Sequence, residues 1–216
     1  MRFILKSLLP ICFLMLFMGG CATTKTSFRY DNTINNKPII SNLSLAVAYP
    51  KDDRIPNKRI DKMWDNDPII EIDRIIKEEI KSTGLFREIV PMDNNCCRII
   101  LYTTLKELAW EVPNYDKLLR NTFMISFLTG GVGGIIYGNT DTDFYGKVRI
   151  RLVLADKDYK SNMLDKEYYY RAEEKVTKFK TDSAEERAKI IGIAFKHVIE
   201  QFKEDLDKVI KERNLL

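Results

Sequence analysis

The residue types that carry chemistry are sparse in this 216-residue sequence, and their spacing fits no common reaction. His197 is the only histidine. A nucleophilic triad needs a base within reach of its nucleophile. His197 stands between Lys196 and Val198 in a helical pattern, one residue off the apolar stripe, and reads as a helix-face side chain. A Ser-Lys dyad needs no histidine, yet no Ser-x-x-Lys stands at a strand-to-helix turn. The carboxylate pairs Glu78-Glu79, Glu173-Glu174 and Glu185-Glu186 lie in segments charged throughout, which reads as solvated surface. Asp141-Thr142-Asp143 reads as a loop without the glycine and closing glutamate of a calcium site. Cys96 and Cys97 are adjacent, and strand neighbours point to opposite faces, so they are poorly placed to bridge each other. No zinc spacing exists. The expectation is no enzyme, no metal and no cofactor.

Chemistry of another kind is written at the amino terminus. Arg2 and Lys6 form a positive region, and Ser7 to Met18 is an uncharged apolar run too short to span a bilayer comfortably. The run closes on Met18-Gly19-Gly20-Cys21. This resembles the lipobox of bacterial lipoproteins, with Met18 where that family usually carries Leu. The resemblance implies that residues 1–20 are a removed signal and that Cys21 becomes the first residue and carries lipid. Two or more acyl chains hold a protein firmly to a membrane where one does not. Ala22 follows the cysteine in place of Asp, which in enteric-type sorting implies the outer membrane, facing the periplasm.

Loss of Arg2 and Lys6 leaves the mature chain nearly neutral. No basic stripe interleaved with aromatics argues for nucleic acid. At 45% apolar and 31% charged residues, the composition is that of a globular protein.

Those elements can be read from the pattern. Residues 21–41 read as a polar, flexible tether and 42–216 as a single domain. Leu43 to Tyr49 reads as a first strand, apolar on both faces and therefore central. Residues 51–66 read as charged loop. Asp67-Pro68 opens a helix with Ile69, Ile72, Ile76 and Ile80 on one face, and Gly84 closes it. Glu88 to Val90 is a short strand and Ile99 onward a long one. Val148 to Leu154 and Glu167 to Val176 read as an antiparallel pair. Ser183 and Glu186 form a capping box before a helix with Ile191, Phe195, Val198, Phe202, Leu206 and Val209 on one stripe. In Tyr168-Tyr169-Tyr170 the outer two rings face the core and the middle one faces out. The fold class expected is α+β, a mostly antiparallel sheet with two main helices packed on one face.

The strand, the amphipathic helix ending in Ser82-Thr83-Gly84-Leu85-Phe86, the short strand and the long strand from Arg98 resemble a recurring envelope-lipoprotein domain. It is similar to the amino-terminal domain of the Tol-Pal translocation protein, the curli secretion-pore lipoproteins and the auxiliary lipoproteins of ABC-type envelope transporters. That resemblance implies a structural or assembly role and no chemistry.

One segment stands apart. Asn121 to Thr140 has no charged residue and contains Phe123, Ile125, Phe127, Leu128, Val132, Ile135, Ile136 and Tyr137. Five glycines argue against a helix, at about 1 kcal/mol each in a helix interior. Two readings stay open: a buried strand-loop-strand excursion, or an exposed apolar loop that meets lipid or a partner. We expect the second and take these eight side chains as the candidate contact surface. The function expected is a non-enzymatic, membrane-anchored accessory or assembly subunit of an envelope complex, bound to membrane lipid through Cys21 and to an envelope protein partner, with oligomers possible. The alternatives are a periplasmic carrier or sensor of an apolar ligand held between sheet and helices and, lower, a periplasmic hydrolase.

Overall fold

The computed structural model describes residues 25–28, 30, 36–56, 61, 64–92, 97–158, 161–213 and 215. The expected signal, Cys21 and Cys96 lie outside the described residues.

Leu45, Ala46 and Val47 are apolar on both sides, as a strand covered on both faces requires. They belong to β1 (Ser44–Val47). Past Pro50 the chain resumes as β2 (Lys51–Asp52). Helix α1 (Pro68–Ser82) begins where Asp67 accepts a hydrogen bond from the Ile69 amide at 2.9 Å, with proline in the first turn. It ends before Gly84, whose φ of +70° suits glycine and where a Cβ would stand 2.2 Å from the Pro38 carbonyl oxygen. Strand β3 (Glu88–Pro91) then pairs with one side of β1, and β4 (Ile99–Glu111) with the other, both parallel. β1 is central, and β2 continues its line along β4.

Two long strands complete the sheet. β5 (Asp141–Asp156) pairs antiparallel with β4, and β6 (Ser161–Thr177) with β5, so the path runs β3-β1-β4-β5-β6. A bulge between Leu105 and Glu107 resets the alternation of β4, so that Leu105 and Leu108 both face the core. A 3-10 turn (Lys178–Asp182) leads to α4 (Ala184–Glu212), where Ser183 accepts from the Glu186 amide. The two helices of the domain core, α1 and α4, cover one sheet face with Ile72, Ile76, Ile191, Phe195, Val198 and Phe202. The other face is polar, with Arg149 between Glu107 and Glu167, and Arg151 on Asp165 at 2.7 Å.

The class is α+β as expected, and the sheet is mixed: its two long pairings are antiparallel, and the short ones about β1 and β2 are parallel. The β1-α1-β3 crossover returns its strand in the same direction, because a helix carries the chain back across the sheet. Within the segment expected to be free tether, Thr26 and Phe28 are buried. Phe28 packs edge-to-face on Phe195 and Trp64, so this stretch is docked by its aromatic ring. Residues 51–66 are more than loop, since Trp64 is buried against Trp110. Asp141 and Asp143 lie in β5, not in a loop. Glu79 is not solvated: it is 1% exposed and takes hydrogen bonds from Lys203 at 2.7 Å and the Tyr30 hydroxyl at 2.9 Å. Along α4 the stripe drifts at its end, so Ile210 is buried and Val209 only partly so.

Candidate functional site

The uncharged segment is a helical hairpin at one end of the sheet. Pro113 stops β4, and Asn114 turns the chain at φ 54°, a left-handed conformation that asparagine tolerates. Helix α2 (Tyr115–Leu128) follows, then α3 (Val132–Gly138), which leads into β5. Both sequence readings of its backbone, strand-loop-strand and irregular loop, are corrected. The glycines do not oppose the helices. Gly130 and Gly131 make the turn between them, with φ of 60° and 98°. Gly134 is where α3 meets α2, and a Cβ there would lie 1.6 Å from the Ser126 hydroxyl. Gly138 lies against the Phe179 ring. Close helix packing uses small residues for this reason.

Six of the eight candidate contact residues project outward. Phe123, Phe127 and Leu128 are 70%, 76% and 74% exposed, and Val132, Ile135 and Ile136 are also exposed. Ile125 and Tyr137 are half-buried inside the hairpin. Met124 and Leu119 are exposed too and extend the patch. Sequence reasoning missed Leu119 because it began the segment at Asn121, inside α2, and it left Met124 out of the apolar set although that residue lies within the segment. Continuous exposed apolar surface of this kind is uncommon on soluble monomers.

The base of the hairpin is polar and tied down. The Tyr115 hydroxyl donates to Asp182 at 2.9 Å, and Asp182 pairs with buried Arg187 at 2.8 Å. Arg187 lies over the Trp110 ring at 5.1 Å, and Trp110 meets Trp64 at 5.5 Å. The Lys178 ammonium sits 3.4 Å from the centre of the Tyr137 ring. A hydrogen bond with Asn121, outweighing partial burial and helped by Lys178 and Lys117, holds the Tyr137 hydroxyl below its ordinary tyrosine range.

The other singled-out residues lie elsewhere. His197 stacks on Tyr170 at 4.1 Å and is half-exposed, with Glu200 3.7 Å away. Tyr168 is buried against Phe202, and Tyr169 faces out beneath Arg149. Cys97 is buried beside Ala46 and Val90. A cleft of about 790 Å³ lies on the outer side of α4, between Lys25 and Tyr30 on one wall and Lys189 and Lys196 on the other. It is not between sheet and helices, where an apolar ligand was the alternative expectation.

No protein-family model matches the chain, and no curated protein matches it. Similar solved structures include a Xanthomonas campestris protein of family DUF330, at 9% identity and TM-score 0.44, covering 88% of this chain and 95% of that one. A Helicobacter pylori protein described as a putative neuraminyllactose-binding hemagglutinin homolog aligns at 12% identity and TM-score 0.49, covering 86% and 96%. Lipoprotein GNA1162 from Neisseria meningitidis aligns at 13% identity and TM-score 0.29, covering 75% and 99%. At these values none of the three carries an argument about what this chain does.

Proposed function

We propose that this protein is a non-enzymatic, lipid-anchored accessory subunit of a bacterial envelope, tethered through Cys21 and acting through the α2–α3 hairpin. The observation that carries the reading is the hairpin's exposed apolar surface, where eight large apolar side chains of one short segment face outward. Burying it is favourable by about 25 cal/mol per Å² of apolar surface, before ordering costs. The amino-terminal pattern supplies the anchor, and no helix among the described residues is long and apolar enough to cross a membrane. The outer membrane, facing the periplasm, is the location that Ala22 favours.

The test separates anchor from contact. Radioactive palmitate should label the wild type and not Cys21→Ala; persistent label in the variant sinks the anchor. In the form lacking residues 1–21, Phe127→Ser with Ile135→Ser should leave thermal stability nearly unchanged. The same pair should abolish cosedimentation with isolated envelope membranes. Unfolding of the double variant would make the segment core and remove the contact reading.

A further inference from the structure

We propose that the α2–α3 hairpin inserts its apolar tip into the same bilayer leaflet that holds the lipid on Cys21. The inference deepens the reading above and rests on its anchor.

The path of the docked amino-terminal chain comes first. The Thr26 carbonyl accepts from the Asp65 amide at 3.0 Å, beside Trp64. From Trp64, contacts run through Trp110, Arg187 and Asp182 to Tyr115, the first residue of α2. Thr26 therefore sits at the hairpin end of the domain. Onward from Thr26 the chain leads away from that end. Phe28 and Tyr30 meet Phe195 midway along α4. The Lys37 and Ile40 amides then donate to the Ser82 and Gly84 carbonyls, at the far end of α1 and just beyond it. Traced backward, the docked chain arrives at the hairpin end with five residues left to Cys21. Five residues reach at most about 17 Å. A lipid on Cys21 holds this end, and not the opposite one, against the headgroups.

The chemistry of the hairpin then selects lipid over a second copy. A segment in hydrocarbon must satisfy its backbone internally. Three amides of the turn are met this way: Thr129 donates to the Ile125 carbonyl at 3.1 Å, Gly131 to the Ser126 carbonyl at 2.7 Å, and Gly133 to the Thr129 hydroxyl at 2.8 Å. No charge lies between Asn121 and Thr140, and Phe127, Leu128 and Val132 flank the turn. Charge returns only at the base, with Lys117, Arg120, Lys178 and Arg187 and with Asp116, Asp141 and Asp182. Tyr137 stands at the base beside Lys178, where the apolar tip gives way to charge, as aromatic side chains do at a membrane interface. The seven residues of α3 span about 10 Å, well short of the roughly 30 Å of hydrocarbon in a bilayer.

The experiment uses the full lipidated chain carrying Phe127→Trp. It is reconstituted into vesicles of phosphatidylethanolamine and phosphatidylglycerol, with and without bromine on the acyl chains. The chain without the substitution supplies the Trp64 and Trp110 baseline, and Glu212→Trp, at the far end of α4, is the control. Bromine should quench most of the emission added at position 127 and spare that added at 212. Equal emission from position 127 in the two vesicles overturns the proposal. So does shielding that grows only with protein density, which would show a second copy on the hairpin. The mass of the amino-terminal peptide reads the acyl group separately. Lipid on Cys21 without quenching sinks insertion alone. Absence of lipid sinks the anchor, and the quenching still decides insertion.

Discussion

Glu79 shows how a residue that looks solvated can belong to the core. Its side chain faces α4 from the last turn of α1, and its two oxygens meet Tyr30 and Lys203. Lys203 lies more than a hundred residues later in the sequence, and it keeps 29% of its side chain exposed. A buried carboxylate that loses its cation keeps the desolvation cost without the attraction. Lys203→Met should therefore destabilise by about 2–4 kcal/mol, toward the low side for a broken buried pair because the lysine is partly wet. Glu79→Gln removes the charge and should cost less, about 1–2 kcal/mol. Urea denaturation of both variants checks the order. Equal losses would mean that charge at Glu79 is immaterial.

Two elements rich in apolar residues have opposite fates. α4 turns its stripe onto the sheet, where Phe195, Val198 and Phe202 are fully buried. The α2–α3 hairpin turns its large side chains out and packs on itself through small ones. Stability should respond accordingly. Phe202→Ala should cost about 3–5 kcal/mol, as large-to-small changes in a core do. Gly134→Leu should splay the hairpin at Ser126 and leave the domain's melting temperature within about 2 °C, since the core does not share that contact. Amide exchange would then show lost protection in α3 alone. A fall in the melting temperature comparable to that of Phe202→Ala would show that the hairpin is integral to the core.

The whole molecule has a polar body with ends of different character. Its pH response is set by the body. Burial raises the Asp205 carboxyl, but the Lys166 ammonium and Tyr168 hydroxyl outweigh it and hold it below the usual aspartate range. The Arg54 guanidinium does the same for Asp52. A depressed folded-state value contributes stability above the ordinary value of about 3.9 and loses it as pH falls through the folded one. Tyr168 lies at the other limit. Burial, then the Asp205 carboxylate, pushes its hydroxyl well above the ordinary range. Its contribution is complete below the ordinary tyrosine value of about 10 and declines as pH rises beyond it. Melting temperatures across pH should thus fall on both sides, and Tyr168→Phe should flatten the alkaline side. An unchanged alkaline slope would show that Tyr168 does not set it.

Most of the element order could be read from local pattern alone. The Asp67-Pro68 start of α1, the capping box at Ser183 and the strand alternation in β1, β4 and β5 depend on neighbours a few residues away. The hairpin was visible as composition and misread as conformation. A glycine's cost in a helix is a local quantity, whereas Gly134 is required by Ser126 across a turn. Burial of Glu79, Arg187 and Trp64 was equally hidden. Each is held by partners from other elements, Lys203, Trp110 and Phe28 among them. Periodicity tells which face of a helix is apolar. It does not tell whether that face meets the sheet, as in α4, or the solvent, as in α2, because that depends on which surfaces the packed chain leaves to be covered.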